Sequence, residues 1–350
     1  MEERSTLTRE EARDLMRQIF TGEFSEIELA ALLGAIGGRG ESAGELAGFV
    51  DAMRVAATPI PLDEAERGRL VDTCGTGGDA SGTFNISTAA ALVAAAAGAG
   101  LMVAKHGNRA VTSQCGSADV LEALGIPVGL APEDAAAALR AYGFAFLHAP
   151  SLHPAMKSVM PVRRALGVRT VFNVLGPLTN PAGARAQVMG VYAAHLVPLV
   201  AEAMRLLGVR HAFVVHGAGV NGGRGLDELS ISGPSQVAEV RGDAVRLFEL
   251  TPEQVGLESA PIGSLRGGNA ADNAAILRAV FAGDRGPRRD MVLLNAAAVL
   301  ITAGAVAVDP GPASAAEPHG RFRAAIELAA ATIDSGAVTR LVGALAASAG

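Results

Sequence analysis

A chain of 350 residues spans one large domain or two modest ones. With half its residues hydrophobic and 18% charged, it is rich enough for a sizeable core and too apolar for disorder. Its 29 basic against 35 acidic side chains, net −6, and its 4% aromatics without tryptophan argue against a nucleic-acid partner, which needs a basic surface or stacking rings. Two cysteines, Cys74 and Cys115, are too few for a disulfide framework or a multi-cysteine metal site.

The first residues, MEERSTLTREEARD, are charged from the second position, so the expectation is no signal peptide and a cytoplasmic protein. Three helix starts of one kind follow. Thr8-x-x-Glu11, Ser25-x-x-Glu28 and Ser42-x-x-Glu45 are capping boxes, each leading into apolar residues at helical spacing. Thr58-Pro-Ile-Pro61 breaks that pattern, and 55–69 reads as a linker. The division is a helical domain over 1–69 and an α/β domain over 70–350, with a segment near 170–190 packing back on the helices.

Beyond residue 70 short apolar strands alternate with helices. Strands are predicted at Leu70–Asp72, Leu101–Ala104, Phe144–His148, Val188–Val191 and Ala212–Val215. Helices are predicted near 86–97, 117–124, 132–141, 152–166, 195–207, 269–282, 290–303 and 321–335. This alternation builds a mostly parallel sheet covered by helices, with ligands at the strand-to-helix loops. The uncharged run from Ile86 to Ala104 has the length of a short membrane span, but Gly98 and Gly100 split it into a buried helix, a turn and a buried strand, so no membrane partner is expected. The Pro/Gly-rich stretch 309–312 and the Ala/Ser run after it read as a surface insertion.

The densest chemical signal is Asp72-Thr-Cys-Gly-Thr-Gly-Gly-Asp79, directly after the first strand. Its glycines permit a sharp turn that gathers amide N–H groups into one concavity suited to phosphate oxygens. The next helix opens at Thr83-Phe-Asn-Ile-Ser-Thr88, a second anion-binding element. The run is neither a Walker loop nor a dinucleotide fingerprint, and alone it reads more readily as a capped glycine turn than as a phosphate site. Lys105-His-Gly-Asn-Arg109, with Ala110, Val111, Thr112 and Ser113, puts two cations and several hydroxyls on the next strand-end loop, beside the first if the strands are neighbours. Asp227 and Glu228, in Gly225-Leu-Asp-Glu-Leu-Ser230, are consecutive carboxylates able to face one hard cation on a substrate phosphate. Seven histidines, none in a metal-spaced cluster, argue against zinc.

In order along roughly 7–345, the runs DTCGTGGDASGTFNIST, KHGNRAVTSQCGSADVLEALG, HPAMKSVMPVRRALGVRTVFNVLGPLTNPA and GLDELS resemble the anthranilate phosphoribosyltransferase family. The resemblance implies the nucleoside phosphorylase/phosphoribosyltransferase type of α/β fold and a homodimer joined through the helical domain. It implies transfer of the phosphoribosyl group of 5-phosphoribosyl-1-diphosphate to anthranilate, in tryptophan biosynthesis, with two Mg²⁺ ions per subunit. Carried over by position, Gly75, Gly78, Asp79, Thr83, Asn85, Ile86, Ser87, Thr88, Lys105, His106, Gly107, Asn108, Arg109, Ala110, Val111, Thr112, Ser113 and Ser117 would line the phosphoribosyl diphosphate site. Ser87, Asp227 and Glu228 would hold metal. Gly75, Asn108 and Arg163 would contact anthranilate, with Lys105, Asn108 and Arg163 acting on the reacting groups. A guanidinium at Arg163 suits an aromatic carboxylate, since its planar fork pairs in a bidentate way. His106 is a candidate late proton acceptor or a loop-stabilising hydrogen bonder.

Three features depart from the family pattern: Gln114-Cys115 in place of Lys-Ser, a longer glycine loop over 218–225, and the 309–320 insertion. Two other readings compete. A pyrimidine-nucleoside phosphorylase would need a different phosphate loop and no Arg163. A non-catalytic nucleic-acid binder of the same fold would be basic and would lack Asp227-Glu228.

Overall fold

Each of the three capping boxes starts a helix. The hydroxyls of Thr8, Ser25 and Ser42 accept from the backbone N–H of Glu11, Glu28 and Glu45, whose carboxylates return the bond, and the helices are α1 (Arg9–Thr21), α2 (Glu26–Arg39) and α3 (Ala43–Ala56). The third box is buried. Glu45, fully inaccessible, also takes Leu7 N and a bidentate pair from Arg39 at 2.5 and 2.9 Å, which ties the chain's start to the α2–α3 corner. The computed structural model describes residues 6–98, 100–110, 114–219, 225–306 and 317–348. The expectations for Val111, Thr112 and Ser113, and for much of 218–225 and 309–320, lie outside them.

The linker reading of 55–69 needs correction at both ends. Val55 and Ala56 form the last turn of α3, and Glu64–Arg67 is a one-turn helix, α4, capped by Asp63. The α/β part then runs β1 (Leu70–Gly75), α5 (Ile86–Ala96), β2 (Met102–Gly107), α6 (Ser117–Ala123), α7 (Pro132–Tyr142), β3 (Phe144–His148), α8 (Ala149–Leu152), α9 (Met160–Leu166), α10 (Phe172–Leu178), β4 (Ala186–Gly190), α11 (Leu196–Leu206) and β5 (His211–Gly217). It ends with β6 (Ser235–Arg241), β7 (Ala244–Leu250), α12 (Ala270–Phe281), α13 (Pro287–Ala303), α14 (Glu317–Asp334) and α15 (Ala337–Ala347).

All five predicted strands exist, four of them with shifted or extended ends. The continuous helix expected over 152–166 does not form. Pro154 and Pro161 each remove an amide donor, and the segment breaks into α8, a 3-10 turn at Pro154–Lys157 and α9. The β6–β7 hairpin and α15 were not anticipated.

The seven strands order as β3-β2-β1-β4-β5-β6-β7, with β1 to β5 parallel and the last two antiparallel. Side chains alternate between two cores, as the two-residue period of a strand requires. Phe213 and Val215 of β5 join a cluster built on α5, α12, α13 and α14, whereas Ala212 and Val214 join one built on α11, α9, α10 and the N-terminal helices. The molecule is a small N-terminal helical domain on a large α/β domain. Among the described residues no single helix is long and apolar enough to cross a membrane.

Candidate active site

Strand β1 lies between β2 and β4, so the connections leaving its two sides diverge and open a crevice beyond the strand ends. Four strands reach this edge on glycine: Gly75, Gly107, Gly190 and Gly217. Gly75 and Gly190 are register partners, and Asp227 lies on both. A Cβ on Gly75 would stand 2.1 Å from Asp227 Oδ2, and one on Gly190 only 1.6 Å from the Asp227 carbonyl oxygen. These two glycines create the room in which the acidic pair sits. Gly190 was not singled out in the sequence, although a glycine inside a strand is a sign of close backbone approach.

Leu226 and Leu229 are buried and hold the acidic pair from both sides. Leu226 exchanges backbone hydrogen bonds with Gly217 at 2.9 and 3.0 Å, closing the base of the long glycine loop, and Leu229 exchanges two with the side chain of Asn295 at 3.0 Å. Asp227 Oδ2 accepts from Gly77 N at 2.6 Å, and Asp79 Oδ2 receives Asp227 N at 3.4 Å. The GTGGD loop thus touches the acidic loop directly. Asp79 joins the acidic pair as a third carboxylate, a neighbourhood its position in the sequence does not reveal.

The start of α5 completes that wall. Asn85 occupies the N-cap but does not cap; its amide donates to the Cys115 carbonyl at 3.3 Å and its oxygen accepts from Asn273 at 2.8 Å. Glu228 Oε1 instead accepts from Ser87 N at 3.1 Å, a carboxylate at the positive end of a helix. Lys105 Nζ, buried, donates to the Thr73 carbonyl at 2.7 Å and reaches Ser87 Oγ at 3.4 Å. Ser87, Glu228 and Lys105, assigned on separate segments, therefore meet. Thr83 and Ser81 share a hydroxyl contact of 3.1 Å, and the Thr88 hydroxyl is buried without a partner among the described residues.

Lys105, His106 and Gly107, expected on the loop, form the last three residues of β2, and the loop from Asn108 follows them next to β1, as the neighbour condition required. Gly107 is packed so closely that a Cβ would lie 2.4 Å from Ser117 Oγ, which donates to the Asn108 carbonyl at 3.1 Å. Asp119 accepts from both Ala110 N and Gly116 N, closing the loop on α6. Arg109 turns towards α6. It pairs with Glu122 at 2.5 and 2.6 Å and with Asp119 at 3.2 Å, and these partners raise its pKa.

Beneath the loop is a buried polar group. His106 N donates to Asp72 Oδ1 at 3.1 Å, and burial pushes the Asp72 carboxyl up to about 6. Burial, then the neighbouring His153, push His106 down to about 3, so its ring is neutral. His106 bonds the Gly176 backbone and His153 the Thr179 backbone, their rings 5.1 Å apart, and Nε2 of each is buried without a partner among the described residues. Arg163 on α9 has its guanidinium carbon 5.4 Å from the centre of the Phe172 ring, and among the described residues it has no carboxylate partner. Burial lowers its pKa. Both cysteines are buried, and Cys74 is pushed well up by burial first and by Asp72 next.

The acidic loop fits a hard cation. Burial first raises both carboxyls, and then Asp79 raises Asp227 while Asp227 and Asp79 raise Glu228, a penalty that a divalent ion would relieve. Among the described residues no three such side chains converge closely enough to hold a metal alone, so further ligands would have to come from substrate or water oxygens, as is usual for Mg²⁺.

A mostly parallel sheet with a glycine loop, a helix N-terminus and a crowded acidic pair at one crevice has the features that a phosphate-bearing substrate with a metal ion would require, and similarity to known proteins gives the class. The family model for the glycosyl transferase family a/b domain matches residues 67–339, and that for its helical bundle domain matches 2–57. The chain is 51% identical to an anthranilate phosphoribosyltransferase of Chloroflexus aggregans, covering 99% of this chain and 96% of that one. It is similar to the crystal structure of the Thermus thermophilus anthranilate phosphoribosyltransferase at 44% identity and TM-score 0.86, covering 98% and 96%. The Saccharomyces cerevisiae enzyme in complex with PRPP and Mg is 27% identical with TM-score 0.82, covering 98% and 93%, and its complex with 4-fluoroanthranilate has TM-score 0.80 over the same shares. The chain belongs to the anthranilate phosphoribosyltransferase family.

Proposed function

We propose that this chain transfers the phosphoribosyl group of 5-phosphoribosyl-1-diphosphate to the amine of anthranilate, giving N-(5-phosphoribosyl)anthranilate and diphosphate, in tryptophan biosynthesis. The observation that carries the reading is the meeting of the GTGGD loop, the α5 N-terminus and Asp227-Glu228 at one crevice, in a chain half identical to an enzyme of that name. In this reading Gly75, Gly78, Asp79, Thr83, Asn85 to Thr88, Lys105 to Ser113 and Ser117 line the phosphoribosyl diphosphate site, and Ser87, Asp227 and Glu228 hold Mg²⁺, two ions per subunit. The protein works in the cytoplasm as a homodimer joined through its helical domain, 1–69, on which 170–190 packs.

The chemistry follows from where charge develops. The bond from ribose C1 to the diphosphate oxygen breaks, the electron pair leaves with diphosphate, and the amine lone pair forms the new C1–N bond. Mg²⁺, which Asp227, Glu228 and Ser87 would hold, would neutralise charge on the departing oxygens. Lys105 holds the Thr73 carbonyl and Ser87 in register, so that the wall receiving that charge is fixed before the reaction. Arg163, a guanidinium with no carboxylate partner among the described residues, is suited to anthranilate's carboxylate, and in this reading Asn108, after β2, also contacts anthranilate. The aromatic amine is neutral at pH 7, so orienting two substrates supplies much of the rate. A His106 ring held neutral near Asn108 suits an uncharged hydrogen-bonding role better than that of a strong base.

Loss of anthranilate fluorescence on mixing the purified chain with 5-phosphoribosyl-1-diphosphate tests the reading. Consumption should require both 5-phosphoribosyl-1-diphosphate and Mg²⁺. No consumption with both present would refute the activity, and full activity in excess chelator would refute the metal assignment.

A further inference from the structure

The GTGGD loop has little rigidity of its own. Gly77, Gly78 and Ala80 all sit at positive φ (70°, 76° and 59°), and glycines in that region are free to leave it. A phosphate cradle needs its N–H groups held pointing one way, so something outside the loop must hold it. Asp227 grips Gly77 N on one side. On the other side the grip comes from Arg169, between α9 and α10.

Arg169 Nη2 donates to the Gly78 carbonyl, and the guanidinium carbon lies 4.0 Å from the centre of the Tyr192 ring. Tyr192 is itself tied to the loop, its N–H donating to Thr76 Oγ1 at 3.0 Å, while Thr76 N donates to the Gly190 carbonyl at 2.9 Å. Because a trans peptide points its N–H opposite its C=O, fixing the Gly78 carbonyl on Arg169 turns the Asp79 N–H away from Arg169. The segment that supplies Arg169 also carries Arg163, and through Gly176 and Thr179 it holds His106 and His153.

We propose that Arg169, stacked on Tyr192, is a positioning residue that fixes the Gly78–Asp79 peptide for the diphosphate group of the donor substrate. The inference rests on the transferase reading above. It makes Arg169 a determinant of affinity for 5-phosphoribosyl-1-diphosphate and leaves anthranilate to Arg163.

The test is calorimetric titration of 5-phosphoribosyl-1-diphosphate, with Mg²⁺ and without anthranilate, onto the full chain and its Arg169→Ala and Arg169→Lys variants. Ala should weaken binding about tenfold, the scale of one lost charge-assisted hydrogen bond. Lys, which keeps a donor but loses the planar stack, should fall between. In steady-state kinetics the anthranilate KM at saturating diphosphate should stay within about twofold of wild type, since its contacts are not touched. If Arg169→Ala fails to fold, Tyr192→Leu should show a smaller loss in the same constant. Unchanged diphosphate affinity would overturn the proposal, as would equal damage to both substrates with Lys no better than Ala. A wild-type chain that binds the diphosphate but never consumes anthranilate would overturn the transferase reading instead.

Discussion

Gly190 shows how much of the site is held by single atoms. A methyl group there would meet the Asp227 backbone, which cannot rotate away as a side-chain tip could. Gly190→Ala should therefore displace the acidic loop and cut turnover by at least about a hundredfold, the scale of misplacing groups that must be held to within an ångström. Gly77→Ala has open space around its Cβ and only a positive φ to disturb, and it should lose far less. Comparing kcat and Mg²⁺ dependence of the two variants checks this; similar losses would mean that steric room is not what Gly190 provides. At this scale the sequence was legible wherever several residue types coincide, as in GTGGD, KHGNR and Asp227-Glu228. It was not legible where function depends on what lies opposite. Arg109 reads as an unpaired cation until Glu122 and Asp119 are seen on α6 facing it. Lys105 looks exposed until the sheet buries it. Arg169, exposed on the surface, gives no sign in the sequence of its contacts with Gly78 and Tyr192.

At the scale of elements, capping and periodicity located most helices because those signals are local, and the five parallel strands were visible as short apolar runs. The β6–β7 hairpin was missed although its turn, Gly242-Asp243, is a recognisable two-residue connection with Gly242 at φ 56°. Its strands carry charge, including Glu239, which reads as a solvated face. Yet Glu239 is buried, gripped in a bidentate pair by Arg321 of α14 at 2.7 Å and by His211 Nε2 of β5 at 2.8 Å. Burial alone would raise Glu239; Arg321 and then His211 outweigh it and hold it at about 2. Arg321→Met should destabilise the fold at pH 7 by about 3–5 kcal/mol, because an unpaired charge is left buried. The sign with pH follows from the depressed value. Stability from this carboxylate is fully present above its ordinary 4.5 and is lost as pH falls towards about 2. In the variant burial acts unopposed by Arg321, so Glu239 takes a proton sooner and the difference from wild type should narrow below about pH 5. Denaturant midpoints at pH 7 and pH 4 measure it, and a gap that does not change with pH would sink the account.

At the scale of the whole molecule, two family models divide the chain near residue 60, but the packing does not. Leu46, Phe49, Val50 and Met53 of α3, with Met16 and Ile19 of α1, lie in the same buried cluster as Val197, Val200 and Met204 of α11 and Phe172 and Leu175 of α10. Polar ties cross the same seam. Arg9 donates to the Leu206 carbonyl at 2.8 Å, and Arg54 donates to the Leu178 carbonyl at 3.0 and 3.3 Å. The helical domain is thus a cover for one face of the sheet's helices, and the segment 153–179 that carries Arg163, Arg169 and the Gly176 contact to His106 lies partly under it. Removing residues 1–57 would uncover several large side chains on α9, α10 and α11. At about 1.5–3 kcal/mol each, a handful of these matches the whole stability of a typical domain, about 5–15 kcal/mol. The fragment 58–350 should therefore lose cooperative unfolding and near-ultraviolet circular dichroism even though every element of the sheet is retained. Calorimetry of the fragment beside the full chain decides the matter. A fragment that melts cooperatively within about 5 °C of the full chain, a shift worth only about 1–2 kcal/mol at this size, would mean that the seam contributes little and that the two parts fold independently.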